Sequence, residues 1–273
     1  MKPVTRALND AARQLSATSD TPRLDAELLM AEALGIDRDR LILHPPDWEP
    51  PKRFWTMIDR RKTGEPVAYI TGRRAFWNIE LHVGPGVLVP RPDSEVLISS
   101  AVEHFTGRAS PKRILDLGTG PGTLLLAALD IWPKATGLGI DASRRALSYA
   151  SANARRLGSD ERAQFRLGDW ADGIDERFDL ILCNPPYVAT DAELGAGVAE
   201  HEPHEALFAG PEGLADIRKI APEIPRLLAP GGLACIEIDP SHAQEARALF
   251  AIPPLTARIA LDLAARERAI LLS

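Results

Sequence analysis

An α/β fold, with a mostly parallel sheet behind a small helical domain, is predicted from three features of the sequence. From residue 112 onward, short apolar runs typical of buried strands alternate with helical stretches, which is the pattern of a parallel sheet covered by helices. Residues 4–64 instead carry apolar positions at helical spacing. Near the end, residues 255–261 and 268–272 are predicted to be two strands joined by a tight turn, which makes the last strand antiparallel.

The first domain, residues 1–65, is predicted to be a helical bundle. Its apolar residues recur at the spacing of a buried helix face: Leu8, Ala12, Leu15, Leu24, Leu28 and Leu29. Asp20 or Thr21 is a suitable N-cap before Pro22 in the first turn of the second helix, and Gly35 is suited to end that helix.

A β-hairpin linker, residues 66–90, is predicted between this bundle and the larger domain, residues 91–273. Residues 66–83 are the hairpin itself, and residues 77–83 alternate apolar and polar side chains as a half-buried strand does. The motifs described next all belong to the larger domain.

A glycine-rich turn follows the first strand of the predicted sheet, in the order Asp116-x-Gly118-x-Gly120-x-Gly122. Glycine lets the backbone adopt positive φ and approach a ligand closely. The spacing differs from the dinucleotide fingerprint, whose third glycine comes one place later, and the Gly-Lys-Ser/Thr of a phosphate loop is missing. An Asp two residues before the first glycine favours a cationic or amine-bearing ligand.

Two further acidic residues follow the next two predicted strands. Asp141 ends the strand 135–140, and Asp169 and Trp170 come shortly after the strand 164–167. Each residue alone is ordinary loop chemistry. In this order and at βαβ spacing, together with the glycine-rich turn, they indicate one ligand site.

The run Asn184-Pro185-Pro186-Tyr187 (NPPY) follows another apolar strand and suits a planar group that bears NH2. Asn184 offers both a carbonyl oxygen and an NH2 group. The prolines fix the backbone and leave the carbonyl oxygens of Asn184 and Pro185 free to face a ligand, and Tyr187 adds a flat ring that can cover it. An amide or a nucleobase fits this description; the four residues taken alone also fit a plain proline-rich turn.

The combined pattern resembles one family over nearly the whole chain, the protein-glutamine methyltransferases of the release-factor type (PrmC/HemK). Residues 66–76 are similar to its P-x-x-Y-I-x-G…F hairpin, residues 87–95 to its V-L-I-P-R-P-E-T-E segment, and residues 202–214 to its E-P-x-x-A-L-x-x-G-x-x-G-L loop. There are departures: Asp239 stands where the family usually has Gly in L-E-I-G, and Ala265 where it has Gly in D-x-x-G-x-x-R.

This resemblance implies a Rossmann-like class I methyltransferase fold with S-adenosylmethionine (SAM) as cofactor. Asp141 is then expected on the ribose hydroxyls and Asp169 on the adenine amine, with Trp170 packed on the adenine ring. The residues expected to bind the cofactor are Asp116, Gly118, Thr119, Gly120, Gly122, Asp141, Asp169, Trp170 and Asn184. Catalysis is expected from Asn184, Pro185 and Tyr187, and Pro186 joins them in contacting the substrate.

Three functions are left open by the sequence. The favoured one is methylation of the Gln side-chain amide in the Gly-Gly-Gln motif of peptide-chain release factors, or alternatively of a ribosomal-protein Gln. The second is methylation of an exocyclic amine of DNA or RNA, since NPPY also serves adenine and guanine sites. The third is a SAM-binding or scaffold protein without activity.

Composition favours a soluble, cytoplasmic enzyme, and a monomer is expected. The net charge of −6 and the pI of about 5.6 give no basic field for nucleic acid, so no stable nucleic-acid binding is expected. The apolar stretches are too short to span a bilayer, so no membrane association is expected. No metal is expected either, because Pro203 interrupts the ligand-like residues 200–205. Trp48 and Trp55 are expected to pack rather than to form a recognition surface.

Overall fold

The computed structural model of the chain describes residues 2–192, 194–195 and 197–273. They form two compact units, Met1–Arg73 with Glu193–Glu202 and Arg74–Ala192 with Pro203–Ser273. Within the described residues, no helix is both long enough and apolar enough to cross a membrane.

Helices and strands are numbered along the chain. The α-helices are α1 Pro3–Leu15, α2 Pro22–Leu34, α3 Arg38–Leu43, α4 Lys52–Lys62, α5 Val67–Thr71, α6 Glu95–Phe105, α7 Thr123–Ile131, α8 Arg144–Arg156, α9 Val198–His201, α10 Ala215–Ile220, α11 Ile224–Leu227 and α12 Ala243–Leu249. The strands are β1 Arg73–Phe76, β2 Ile79–His82, β3 Arg113–Leu117, β4 Thr136–Asp141, β5 Ala163–Leu167, β6 Phe178–Cys183, β7 Leu228–Glu237, β8 Ala257–Leu261 and β9 Glu267–Leu272.

The first unit is helical, as predicted, and contains α1 to α5 and α9. Its buried core is apolar and includes Val4, Leu8, Ala11, Leu15, Leu29, Met30, Phe54 and Ile58. The predicted ends of the second helix are confirmed, since Thr21 is the N-cap of α2, Pro22 is its first residue, and Gly35 ends it in the left-handed conformation with φ of 66°.

Two side chains of this unit are more exposed than their spacing predicted. Leu24 is 38% exposed, whereas Asp25 and Glu27 on the same helix are buried and form ion pairs with arginines. Trp48 is 52% exposed, so its expected packing is wrong. It precedes α4, and a spacing of seven residues from Trp55 therefore does not put both rings on one helix face.

The predicted hairpin is formed by β1 and β2, which pair as a separate two-stranded sheet. Residues 67–71, which were also expected in the hairpin, form the short helix α5 instead. Pro66 precedes the first turn of this helix, and Gly72 ends it with φ of 75°. Proline and glycine thus mark the two ends of a helix that is too short for periodicity to reveal.

The second unit contains a seven-stranded sheet in the order β5-β4-β3-β6-β7-β9-β8. The five strands β5, β4, β3, β6 and β7 run parallel to one another, and β9 is antiparallel to both β7 and β8. This confirms the predicted α/β fold with its antiparallel last strand. Cys183 and Cys235 are buried in the sheet as free thiols.

The sheet has a switch point beside β3, because the chain continues from β3 to β4 on one side and later places β6 on the other. In open parallel sheets, ligands bind at the carboxyl ends of the strands near such a point. Register pairs bring Leu117, Ile140 and Cys183 to the same edge. The turns that follow β3, β4, β5 and β6 therefore meet there.

Candidate active site

A cavity of about 350 Å³ lies at this edge of the sheet. Its size is that of a site for a small molecule or cofactor. Most of the residues predicted to bind the cofactor line it, namely Asp116, Gly118, Thr119, Gly120, Asp141, Asp169, Trp170 and Asn184. Pro186 of the NPPY run lines it as well, whereas Gly122, Pro185 and Tyr187 are not among the lining residues.

The glycine-rich turn after β3 is held to the neighbouring strand by its backbone. The amides of Gly118 and Thr119 both donate to the carbonyl oxygen of Ile140 at 2.9 Å. Gly118 has φ of 71° and Gly120 has φ of 55°, a conformation that favours glycine. A Cβ on Gly118 would lie 3.2 Å from the ring of Trp170, so the turn also packs closely against that ring.

Asp116 is a buried carboxylate beneath the turn, with only 1% of its surface exposed. Its Oδ2 accepts from the Thr119 hydroxyl at 2.7 Å and from the Leu125 amide at 3.2 Å. Its Oδ1 has no hydrogen-bond partner among the described residues. Burial raises the pKa of Asp116 to about 7, against the lowering effect of these hydrogen bonds. A cationic donor at Oδ1 would satisfy this atom, as predicted for an amine-bearing ligand.

Asp141, the last residue of β4, connects the turn with the next helix. Its Oδ2 accepts from the Gly120 amide and its Oδ1 from the Ser143 amide, both at 2.8 Å. Burial raises the pKa of Asp141 and these two amides lower it. Ser143 in turn caps α8 by accepting from the Ala146 amide. The carboxylate is therefore fixed in orientation, and each oxygen retains a lone pair for a ligand hydroxyl.

Trp170, which follows β5, has the unusual backbone φ of 47°. Left-handed backbone costs energy for a bulky residue and is often found where a side chain must serve a ligand. The indole Nε1 donates to Asp216 Oδ1 at 3.2 Å, and Lys219 contacts the same oxygen at 3.2 Å. These contacts hold the ring in place beside Gly118 and Asp169.

Asn184 follows β6 and enters the cavity with its amide orientation defined. Its Nδ2 donates to the hydroxyl oxygen of Ser94 at 3.0 Å. The NH2 group is thereby engaged, and Oδ1 is the group that can accept from a ligand. Tyr187 points its hydroxyl at Glu237, donating to Oε1 at 3.1 Å, and burial raises its pKa.

Gly122 and Pro185 do not line the cavity, and both pack within the fold. Gly122 is the N-cap of α7 with φ of 87°, and a Cβ there would meet Leu126 at 2.8 Å. Close packing of helix and sheet therefore accounts for this glycine. Pro185 is buried next to Asn184.

The loop 203–214 packs along the residues that follow NPPY. Val188 donates to Leu207 at 3.0 Å and accepts from Ala209 at 2.9 Å. A Cβ on Gly213 would lie 2.4 Å from the carbonyl oxygen of Tyr187, so only glycine fits that approach. The loop thus supports the NPPY backbone, and its residues Pro203, Glu205 and Ala206 line the cavity.

Several lining residues were missed by the sequence reasoning. Asp216 and Lys219 lie on α10, and no motif marks them. Arg91 and Ser94 belong to the R-P-x-x-E segment but were given no role at the site. For Arg91 and Ser94, the resemblance of residues 87–95 to the family was the signal that could have indicated a role at the site.

The cavity is lined by more acidic than basic side chains. Five carboxylates, Asp116, Asp141, Asp169, Glu205 and Asp216, face two cations, Arg91 and Lys219. Such a cavity favours a ligand that carries positive charge. Among the described residues, no group of three or more His, Cys, Asp or Glu side chains is arranged to hold a metal ion.

Two family models match the chain. The PrmC N-terminal domain matches residues 6–72, and a methyltransferase domain matches residues 109–252. Among solved structures, a methyltransferase from Pyrococcus furiosus has a TM-score of 0.52 at 15% identity, covering 72% of this chain and 90% of that one. A 16S rRNA N2 G1207 methyltransferase from Thermus thermophilus has a TM-score of 0.51 at 20% identity, covering 74% and 49%. These two likenesses show a shared methyltransferase fold.

Sequence relatives are closer and cover nearly the whole chain. The release factor glutamine methyltransferase of Caulobacter vibrioides is 41% identical over 95% of this chain and 92% of its own. The proteins of the same name from Rhodospirillum rubrum and Cereibacter sphaeroides are 39% and 40% identical, each over 97% of this chain and over 83% and 96% of their own lengths. The chain therefore belongs to the family of release factor glutamine methyltransferases, enzymes that use SAM as the methyl donor.

Proposed function

We propose that this enzyme transfers a methyl group from SAM to the side-chain amide nitrogen of the Gln in the Gly-Gly-Gln motif of peptide-chain release factors. The relatives' name supports the substrate class. The observation that carries the proposal is the orientation of Asn184, whose NH2 group is bonded to Ser94 while Oδ1 is left to accept from an amide in the cavity.

The cofactor fits the residues of the cavity. Oδ1 of Asp116 is buried and has no partner among the described residues, and a cationic ammonium group is the ligand that such an atom requires. Asp141 is proposed to bind the ribose hydroxyls and Asp169 the adenine amine, with Trp170 packed on the adenine. Gly118, Thr119 and Gly120 form the turn that the cofactor would approach.

The chemistry requires placement more than activation. An amide nitrogen is a poor nucleophile, because its lone pair is delocalised into the carbonyl. SAM supplies a methyl group already activated on a sulfonium. The protein must therefore hold the nitrogen in line with the methyl group and accept hydrogen bonds from its two N–H groups as positive charge develops. Asn184 Oδ1 and the Pro185 carbonyl oxygen are proposed to do so, Pro186 to complete the contact surface, and the Tyr187 ring to cover the amide. Proton loss follows transfer.

The N-terminal domain is proposed to recognise the folded partner. We assign residues 1–65 to recognition, 66–90 to the linker and 91–273 to catalysis. Besides Leu24, three large apolar side chains that are close in sequence are exposed in the first of these domains: Ile42 by 45%, Leu43 by 72% and Trp48 by 52%. The exposed Trp48 supports this proposal, because Trp is enriched among the residues that contribute most to protein binding. Because release factors act at the ribosome, a cytoplasmic location is proposed. The net charge of −6 supports the absence of stable nucleic-acid binding, and a monomer is proposed.

The test is a transfer assay with labelled SAM. The purified enzyme is incubated with a folded release factor, with the same factor carrying Ala in place of the Gly-Gly-Gln glutamine, with ribosomes, and with DNA or RNA. Label on the first factor alone, located on that Gln by mass spectrometry, is the expected result. Label on ribosomal protein or on nucleic acid, with none on the factor, would overturn the proposal in favour of those substrates.

A further inference from the structure

A buried carboxylate lies behind Asn184 and Tyr187. Glu237 is the last residue of β7 and is completely buried. Its Oε1 accepts from the Tyr187 hydroxyl at 3.1 Å, and Ser94 also forms a hydrogen bond with its side chain. Ser94 itself accepts from Asn184 Nδ2 at 3.0 Å. Glu237 thus connects to Tyr187 directly and to Asn184 through Ser94.

The fold alone does not require an acid at this position. The residues that precede it in β7, from Leu233 to Ile236, are apolar and fully buried, and an apolar side chain would continue that pattern without the cost of burying a carboxylate. Burial raises the pKa of Glu237 to about 7, with hydrogen bonds from Ser94 and Tyr187 and the charge of Arg268 acting in the opposite direction. Its Oε2 has no hydrogen-bond partner among the described residues.

The direction of these hydrogen bonds determines how Asn184 is turned. Oε1 of Glu237 already accepts from the Tyr187 hydroxyl and so acts as an acceptor, and a Ser hydroxyl has one proton. If that proton is given to Glu237, the Ser94 oxygen is left only with lone pairs toward Asn184. It must therefore receive an N–H, so the NH2 group of Asn184 turns to Ser94 and Oδ1 turns away from it. The Tyr187 proton is likewise committed to Glu237.

We propose that Glu237 is a positioning residue for methyl transfer: acting through Ser94 it fixes which end of the Asn184 amide faces the substrate, and it anchors the Tyr187 hydroxyl directly. The inference rests on the proposed function, since it concerns the same acceptor. It adds that the amide orientation is set by a chain of hydrogen bonds from β7 to the segment before α6, and then to the end of β6.

Ser94 offers a matched pair of variants. Ser94→Thr keeps the hydroxyl, and Ser94→Val has nearly the same shape without it. We expect Ser94→Val to lower kcat for release-factor methylation by about 10- to 100-fold, as is usual when a hydrogen-bond partner that orients a functional side chain is removed. The Kd for SAM is expected to be unchanged. Ser94→Thr is expected to recover most of that loss. Equal kcat for the two variants would overturn the proposal.

Glu237→Gln tests the other end of the chain of hydrogen bonds and serves if Ser94→Val does not fold. Gln removes the negative charge that attracts both hydroxyl donors, and it puts an NH2 group at the buried Oε2 position, where no acceptor is found among the described residues. It is therefore expected to lower kcat while leaving the Kd for SAM and the KM for the release factor close to those of the parent. A normal kcat in a folded Glu237→Gln protein would contradict the proposed role.

A second readout does not depend on the substrate. The side-chain amide signals of Asn184 in a ¹⁵N–¹H NMR spectrum are assigned by their loss in Asn184→Asp. In Glu237→Gln and Ser94→Val these signals are expected to shift and their protons to exchange faster with water. Unchanged signals would overturn the positioning role. A parent enzyme that fails to methylate any release factor would instead overturn the proposed function, and the two failures are thereby distinguished.

Discussion

The backbone amide of Gly120 donates to Oδ2 of Asp141 at 2.8 Å, so the acid that ends β4 is bonded to the glycine-rich turn that follows β3. Asp141 therefore has two tasks if it also binds the ribose. It holds the turn in its ligand-ready shape, and it offers its remaining lone pairs to the cofactor.

Asp141→Ala is expected to weaken SAM binding by about 1–3 kcal/mol, or roughly 5- to 150-fold in Kd, because both tasks are lost. Isothermal titration calorimetry measures this directly. Asp160→Ala, which removes an exposed carboxylate away from the cavity, is the control. A Kd equal to that of the parent would show that the acid after β4 does not serve the cofactor.

Two buried carboxyls make stability depend on pH in a defined direction. Burial raises the pKa of Asp116 and of Glu237 to about 7 in the folded protein. In the unfolded chain such groups titrate near pH 4. Between about pH 4 and pH 7 the folded state thus binds more protons, so each group lowers the free energy of unfolding as pH rises through this interval.

The measurement is urea unfolding of the parent, of Asp116→Asn and of Glu237→Gln at several pH values. The difference in free energy of unfolding, parent minus variant, is expected to fall from about pH 4 to about pH 7 and to be flat outside this interval. Other titrating groups cancel in the difference. A difference that rises with pH would mean that these carboxyls are ionised throughout.

Ala265 has φ of 59°, in the turn between β8 and β9. The left-handed conformation costs about 1–2 kcal/mol for a residue with a Cβ, which gives a physical reason for the glycine that this family usually carries there. After allowance for the greater freedom of glycine in the unfolded chain, Ala265→Gly is expected to raise the free energy of unfolding by roughly 0.5–1 kcal/mol.

The neighbouring residue gives a matched control for thermal unfolding. Ala264→Gly lies in the same turn at ordinary φ and is expected to lower Tm, whereas Ala265→Gly raises it. If both substitutions lowered Tm, the strain assigned to Ala265 would be refuted.

Leu43 and Trp48 are exposed in the first unit by 72% and 52%. If they dock the release factor, Leu43→Ser and Trp48→Ser should each reduce kcat/KM on the folded factor by about 1–2 kcal/mol, or roughly 5- to 30-fold, through KM. The Kd for SAM should not change. Leu263→Ser, at a fully exposed leucine of the second unit, is the control. The recognition role fails if all three variants behave alike.

The parallel sheet and much of the cavity could be predicted from the sequence, because both depend on local patterns. The strands β3, β4 and β6 are visible as largely apolar runs, and parallel strands bring their following turns to one edge. Asp116, Asp141 and Asp169 line the cavity for that reason. Their contacts with the cofactor are still a prediction.

What could not be predicted depends on contacts between distant parts of the chain. Ser94 and Asn184 are ninety residues apart, and Glu237 is fifty residues beyond Tyr187. No periodicity relates such positions. Glu237 also stands in a strand whose apolar character draws attention away from it. The prediction for Trp48 was wrong for another reason. A spacing of seven residues predicts a shared face only within one continuous helix, and Trp48 precedes α4.

The most direct test of the account is the rate of methyl transfer by Asn184→Ala on a folded release factor, with the Kd for SAM measured in the same protein. We expect a kcat lower by about 10²–10³, the usual loss for one preorganised acceptor, with SAM still bound, because Asp116, Asp141 and the rest of the cavity lining are unchanged. Transfer at the parent rate, or loss of SAM affinity in its place, would contradict the role assigned to Asn184.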